Sequence, residues 1–151
     1  MTPLSEVMDS RPITVSPDLP VKDLAALLIR DHLDGACVVD GDVLIGVVTM
    51  MDLVFQSRTP HMPSFFHFLE ALIPLENTRK VEHDLMKLAG STVRDVMTTT
   101  VITAHEGDTI EQVAEQMVTK HLSLIPVVDA ERRLRGVVTK AGILRKAYGL
   151  A

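Results

Sequence analysis

The chain has 151 residues, 46 % of them hydrophobic, and a formal net charge of −5 at pH 7. This length and composition suit a single closed core, and the acidic balance argues against a nucleic-acid partner, because binding to a phosphate backbone needs clustered Lys and Arg. No apolar run approaches the roughly 18 residues that cross a bilayer, and the N-terminus lacks a charged segment followed by an apolar stretch. We therefore expect a cytoplasmic protein with no membrane partner.

Residues 7–54 form a first unit with a mixed α/β pattern. Apolar residues at spacings of three and four predict an amphipathic helix, which follows the turn-rich segment 16–20 and ends near Leu33. A second helix is predicted to open at Thr49 and to end the unit.

Between these helices, the apolar runs 36–39 and 44–48 predict two buried strands. The sequence Asp40-Gly41-Asp42 predicts the tight turn that joins them. The only cysteine, Cys37, lies in the first run, so we expect a buried thiol that behaves as a small hydrophobe, and no intrachain disulfide.

The connector, residues 55–91, is too apolar for a flexible linker. Apolar spacing predicts two helices in it, the first at Phe65, Phe66, Leu69, Leu72 and Ile73 and the second at Val81, Leu85, Met86 and Leu88. Because so much aromatic surface is seldom left in water, we favour a homodimer contact over packing on its own domain. Three histidines could form a metal site with Glu70 or Glu82, but the spacings of His61, His67 and His83 match no established ligand pattern, so we expect no metal.

Residues 92–147 form a second unit that repeats the order of the first, with helices near 109–121 and 140–147. Identical residues recur at an offset of 89 as far as Asp40 and Asp129 and at 90 from Gly46 and Gly136 onward. The second unit therefore carries one extra residue in the turn between its last two strands. The repeat predicts a pseudo-two-fold domain in which each unit reads strand, helix, strand, strand, helix, with a pocket at the axis.

The order of elements, the Gly-apolar-apolar-Thr that ends each third strand and the opening Val93-Arg94-Asp95-Val96-Met97 resemble the cystathionine-beta-synthase (CBS) domain family. Two such repeats form a Bateman module, and we expect one that stands alone here. The resemblance implies an α/β (α+β) fold with two β-α-β-β-α repeats, related by a pseudo-two-fold axis and joined by a helical connector. It also implies a regulatory protein that binds adenosine-containing ligands such as AMP, ADP, ATP or S-adenosylmethionine, although some members bind none.

The segment from Gly46 to Asp52 fits a pattern, Gly-apolar-x-Thr-x-x-Asp, that is common in nucleotide-binding relatives. A helix that starts at Thr49 would present unpaired N–H groups and a hydroxyl to a phosphate, while the Asp52 carboxylate accepts hydrogen bonds from a ribose. The same spacing is a helix-capping signature, in which Thr49 caps the helix and Asp52 favours its positive end. Both interpretations stay open, and they are compatible.

In the family, the acid of one repeat faces a base-binding pocket of the other. The resemblance therefore implies one ligand site, formed by Thr49, Met51, Asp52, Thr98, Thr99, Ile102, Leu122, Ser123 and Leu124, with Ile102, Leu122 and Leu124 at the base. A second candidate site, formed by Arg11, Ile13, Gly35, Thr139 and Lys140, has Gly142 in place of the acid and would suit a different anion.

Nucleotide-binding relatives often carry a basic residue just before the second strand, where this chain has Asp34 and Ser123. Phosphate would therefore find few partners, and we expect a neutral adenosyl ligand, a magnesium-bridged nucleotide or weak AMP binding rather than tight ATP binding. His32 and His121 lie at equivalent helix ends, where a cationic side chain favours the negative C-terminus.

The sequence thus predicts a regulatory module that senses an adenosyl compound between two CBS repeats and signals, as a homodimer, to an effector protein of unknown identity. No cofactor is required, and we expect no enzyme activity, because a Gly-x-Ser-x-Gly elbow, a Walker loop and a His-Glu-x-x-His pair are all absent. The alternatives are a ligand-free scaffold for dimerisation or docking and a metal-responsive module that uses the connector histidines.

Overall fold

The structure is a computed structural model that describes residues 2–55 and 91–150. The predictions for the connector, which are its two helices, its dimer contact and its histidine site, fall on residues outside those ranges.

The first repeat contains β1 (Thr14–Val15), α1 (Val21–Arg30), β2 (Gly35–Asp40), β3 (Val43–Thr49) and α2 (Met50–Phe55). Strand β2 pairs with β1 in parallel and with β3 antiparallel, in the order β1-β2-β3. The predicted helices and strands are confirmed, although α1 ends at Arg30 and not near Leu33. It ends there because His32 takes a left-handed conformation (φ 54°), and the Leu33 N–H then bonds to Leu28 O at 2.9 Å in a Schellman arrangement.

The second repeat contains α3 (Val93–Val96), α4 (Ile110–Lys120), β4 (Leu124–Val128), β5 (Leu134–Thr139) and α5 (Lys140–Tyr148). Helix α4 ends like α1, since His121 has φ 56° and the Leu122 N–H bonds to Met117 O at 2.9 Å. The short helix α3 was not predicted.

The predicted first strand of the second repeat is wrong, because it is reduced to one parallel bridge between Ala104 and Val127. Pro126 occupies the place that Cys37 has in the first repeat, where Cys37 pairs with Thr14. A proline has no N–H to extend the ladder, so the strand stops after one pair.

The two repeats exchange their leading segments, residues 3–9 and 92–98. Asp9 pairs with Val137 of the second repeat, and Thr98 pairs in the equivalent way with Val47 of the first. Leu4 is completely buried in the core of the second repeat, and Val93 is completely buried in that of the first. Each core is therefore closed by a residue from the other half.

The pseudo-two-fold axis passes between Val43 and Arg133, which are equivalent residues and pair with each other. On either side, the Leu44 N–H bonds to Arg132 O at 2.9 Å and the Leu134 N–H bonds to Asp42 O at 2.8 Å. A third apolar cluster packs between the two sheets here, formed by Cys37, Leu44, Leu124, Val128 and Val137.

The extra residue in the last turn of the second repeat is confirmed. Asp40 pairs directly with Val43 in the first repeat, whereas in the second the Asp129 N–H bonds to Arg133 O across a turn that is one residue longer. Arg132 in that turn is left-handed (φ 62°). Desolvation raises the pKa of Asp129, but hydrogen bonds from Arg133 and from the Glu131 N–H outweigh it, and this pKa lies below its usual value.

The exchanged segments leave no room for a side chain at the glycine that lies three residues before the last threonine of β3 and of β5. A Cβ on Gly46 would lie 2.8 Å from Met97 Sδ and 2.9 Å from Thr98 O. A Cβ on Gly136 would lie 2.8 Å from Asp9 O and 3.0 Å from Met8 Sδ. The leading segment of one repeat thus crosses closely over the third strand of the other.

We expect Gly46→Ala and Gly136→Ala each to lower the free energy of unfolding by about 1–3 kcal/mol, because the new methyl group overlaps backbone that cannot move away. Gly107→Ala is the matched control, since a Cβ there meets nothing within 4 Å. Urea denaturation measures all three, and equal stability of the three variants would contradict the close crossing.

Cys37 is buried as predicted. Burial raises the pKa of its thiol to about 12, so almost no thiolate exists at pH 8.

We expect a thiol reagent such as 5,5′-dithiobis(2-nitrobenzoate) to leave the native protein unmodified at pH 8 and to react with one thiol after unfolding in urea. Rapid reaction in the absence of urea would show that Cys37 is accessible.

Candidate functional site

A cavity of about 260 Å³, here called the Asp52 cleft, lies between the two repeats at the start of α2. Its described lining consists of Val47, Thr49, Met51, Asp52, Thr98, Thr100, Val101, Ile102, His121, Leu122, Ser123 and Leu124. Eight of the nine residues predicted for the ligand site line this cleft, and Thr99 does not. Four further residues were missed: Val47, Thr100, Val101 and His121.

Exchange of the leading segments positions one wall of the cleft. The Thr98 N–H bonds to Val47 O at 2.8 Å, and the Val47 N–H bonds to Thr98 O at 3.0 Å. These bonds hold residues 98–102 of the second repeat beside the junction of β3 and α2. The left-handed turn at His121 supplies the opposite wall, because it directs residues 122–124 from the end of α4 into β4.

Asp52 belongs to a capping box at the start of α2. Its Oδ2 accepts hydrogen bonds from the Thr49 N–H at 2.8 Å and from the Thr49 hydroxyl at 3.2 Å, and its own N–H donates to Thr49 Oγ1 at 3.3 Å. The capping interpretation of the motif is therefore confirmed. The second oxygen, Oδ1, has no hydrogen bond among the described residues and remains available to a ligand.

The unpaired N–H groups expected at the start of α2 are mostly occupied, which corrects that prediction. The Met50 N–H donates to Asp34 O at 2.8 Å, and the Asp52 N–H is bound to Thr49 Oγ1. Among the described residues, only the Met51 N–H in this first turn lacks an acceptor. Helix α2 has only six residues. It offers little to a phosphate, because anion binding at a helix start depends on several free N–H groups.

The Asp52 cleft holds little charge. Within its described lining, Asp52 is the one acidic residue and His121 the one basic residue, and neither Lys nor Arg is present. The remaining side chains are apolar or carry hydroxyl groups. Such a lining suits a ligand that combines an apolar ring with a few hydroxyl groups.

A larger cavity of about 850 Å³, here called the second cleft, occupies the pseudo-equivalent position. Of the residues predicted there, Gly35 and Thr139 line it, whereas Arg11, Ile13 and Lys140 are not in its lining. Ser123 and Leu124 line both clefts.

The charged residues of the second cleft differ from those of the Asp52 cleft. It contains Arg145 and Lys146, and Lys146 forms an ion pair with Glu6 at 3.0 Å. Asp34 lies here and not in the Asp52 cleft. At Gly142, the position of the missing acid, a Cβ would lie 3.0 Å from Val7 O, so a side chain fits only if this backbone shifts.

Within residues 2–55 and 91–150, no group of three or more His, Cys, Asp or Glu side chains could hold a metal ion. None of the helices in the same ranges combines the length and the apolar character needed to cross a membrane.

Two segments of the chain, residues 4–58 and 93–149, match the family model of the CBS domain. The chain belongs to the CBS domain family. It is 33 % identical over 144 residues to the uncharacterized protein MJ1426 of Methanocaldococcus jannaschii, a match that covers 89 % of this chain and 84 % of that protein.

Solved structures of CBS pairs share the fold. The crystal structure of CBSX2 in complex with AMP has a TM-score of 0.74 at 26 % identity, and the match covers 99 % of this chain and 98 % of that one. The CBS domain pair of protein MJ0100, in complex with 5′-methylthioadenosine and S-adenosyl-L-methionine, has a TM-score of 0.68 at 26 % identity, with 97 % and 99 % covered. Both neighbours carry adenosyl compounds.

Other relatives are longer than the region matched. The chain spans 42 % of protein MJ1225 of M. jannaschii and 57 % of the chloroplastic protein CBSX2 of Arabidopsis thaliana. It spans 21 % of inosine-5′-monophosphate dehydrogenase of Thermoplasma acidophilum, so the similarity to this enzyme is confined to a small part of it.

We expect Asp52→Ala to lower the free energy of unfolding by about 1 kcal/mol, because it removes half of the capping box. Asp52→Asn should cost less, since the amide oxygen still accepts from the Thr49 N–H. Asp95→Ala is the matched control: Asp95 forms the same box with Thr92 and lines neither cleft. In urea denaturation, wild-type stability of Asp52→Ala would show that the box at Asp52 contributes nothing.

Proposed function

We propose that this protein is a cytoplasmic, homodimeric regulatory module that binds an adenosyl compound in the Asp52 cleft and signals its presence to a partner protein without catalysing a reaction. One observation supports the binding site above all others. Asp52 of one repeat, which has one oxygen without a hydrogen bond among the described residues, and apolar residues of the other repeat line the same cleft. Related CBS pairs have been solved with adenosyl compounds.

In this proposal, Asp52 Oδ1 accepts a hydrogen bond from a ribose hydroxyl. Ile102, Leu122 and Leu124 contact the base, and the Met51 N–H is the free donor nearest to Asp52 along the chain. The Thr49 hydroxyl donates a hydrogen bond to Asp52 Oδ2 and accepts one from the Asp52 N–H. Thr49 therefore serves the ligand by holding Asp52 in place.

A ligand in this cleft would contact four parts of the structure at once: β3, α2, the leading segment of the second repeat, and the junction of α4 and β4. Because the leading segment closes the core of the first repeat, a ligand that binds it also stabilises the contact between the repeats. This gives the bound ligand a way to change the stability and shape of the whole module.

The absence of catalysis is part of the proposal. Within the described lining, no serine or threonine hydroxyl donates to His121, and the hydroxyl that donates to Asp52, that of Thr49, does so as part of the capping box of α2. The lining is typical of a binding surface, in which the Asp52 carboxylate would orient the ligand.

A second candidate function, a docking scaffold that needs no ligand, is favoured by one observation. Large apolar side chains are exposed on α2 and α5, among them Met51 (58 %), Leu144 (52 %) and Tyr148 (73 %). Apolar surface of this kind serves as an interface for a second copy or for an effector protein. Both functions can use this surface, and the response to adenosyl compounds separates them.

We expect at least one of AMP, ADP, ATP, S-adenosylmethionine and NAD to raise the melting temperature, because a ligand bound only by the folded state stabilises it. For that compound, Asp52→Ala should weaken binding by about 1.5–3 kcal/mol, the usual loss of a hydrogen bond to a charged group. Thermal shift and isothermal titration calorimetry measure the two effects.

Asp95→Ala serves again as the control, since it removes a capping box outside both clefts and should leave affinity unchanged. If no adenosyl compound raises the melting temperature while the protein remains a dimer by light scattering, the scaffold is the correct function. Unchanged affinity in folded Asp52→Ala would rule out the assigned role of Asp52.

A further inference from the structure

We propose that the Asp52 cleft selects adenosine derivatives whose 5′ substituent is uncharged or cationic, a thioether or a sulfonium, over those that carry a 5′ phosphate. This inference rests on the proposed function, and it names the ligand class of the same site. Two features of the cleft support it: its backbone donors and its charge.

The first feature is the shortage of backbone donors. A phosphate at the start of α2 would need free N–H groups, but the N–H of Met50 is taken by Asp34 O and that of Asp52 by Thr49 Oγ1. The Met51 N–H is the one donor left in the first turn among the described residues. One N–H cannot replace the hydration of a phosphate dianion, whereas a thioether needs no donor.

The second feature is charge. The described lining holds the Asp52 carboxylate, and its one basic residue is His121, since neither Lys nor Arg is present. A 5′ phosphate would lie close to this carboxylate, because the ribose that carries it is bound by Asp52, and like charges in a cleft repel each other. The same carboxylate attracts a sulfonium cation and is indifferent to a thioether.

The second cleft differs in its basic residues. It has a volume of about 850 Å³, and its lining contains Arg145 and Lys146 beside four acidic residues, Glu6, Asp9, Asp31 and Asp34. The side chains that usually bind a phosphate, arginine and lysine, are therefore present in the second cleft and absent from the described lining of the Asp52 cleft.

The direct test is calorimetric titration of the full chain at pH 8 without magnesium, using 5′-methylthioadenosine, S-adenosylmethionine, AMP and ATP. We expect the two sulfur compounds to bind at least tenfold more tightly than AMP and ATP. This preference should disappear in Asp52→Ala and persist in Asp95→Ala.

If AMP or ATP binds as tightly as 5′-methylthioadenosine and competes with it, the selectivity is wrong while the adenosyl function stands. ATP binding that is unaffected by Asp52→Ala and does not compete with 5′-methylthioadenosine belongs to another site and supports the selectivity. If none of the four compounds binds, the selectivity is wrong, and if ADP and NAD also leave the melting temperature unchanged, the adenosyl function fails with it.

A second variant tests the physical cause. Thr100 lines the Asp52 cleft and not the second cleft, and an arginine, Arg11, occupies the equivalent exposed position in the other half of the chain. Thr100→Arg should therefore fold and should strengthen AMP binding at least fivefold, with little change for 5′-methylthioadenosine. Thr119→Arg adds the same charge on the exposed side of α4 as a control. AMP binding that is equal in the two variants would overturn the charge argument.

Discussion

The structure depends on the reciprocal exchange of residues 3–9 and 92–98 between the two repeats. Leu4 and Val93, both completely buried, each complete a core that belongs mostly to the other half. Because each half has about 50 residues in its repeat, neither core is large enough to be stable without this contribution. The exchange also requires Gly46 and Gly136, since the crossing segments leave no room for a Cβ.

The Asp52 cleft is a consequence of the same exchange. The crossing of Thr98 over Val47 closes one wall of the cavity, and the capping box of α2 presents Asp52 beside it. One carboxylate can thus have two tasks, since Oδ2 stabilises the helix and Oδ1 has no hydrogen bond among the described residues. Binding and folding are linked here, because a ligand in the cleft contacts the segment that joins the repeats.

Much of the fold could be predicted from the sequence, because the repeat offset, the apolar spacing and the turn residues are all local patterns. The exchange could not be predicted, since an isolated bridge such as the one between Asp9 and Val137 involves too few residues to leave a pattern. The left-handed conformations of His32 and His121 also escaped notice, because Gly or Asn is the usual residue there. Pro126 did carry a signal: its missing N–H predicts the loss of the first strand beside it.

The sequence predicted most of the residues of the candidate site, but not which of their hydrogen-bonding groups are free to bind a ligand. Spacing placed Thr49 and Asp52 together, but whether the N–H groups of α2 are free depends on Asp34 O, which is distant in sequence. A crystal structure of the protein with 5′-methylthioadenosine tests the account most directly. We predict electron density for the nucleoside in the Asp52 cleft, with a ribose hydroxyl within hydrogen-bond distance of Asp52 Oδ1. Density only in the second cleft, or a ribose turned away from Asp52, would contradict the account.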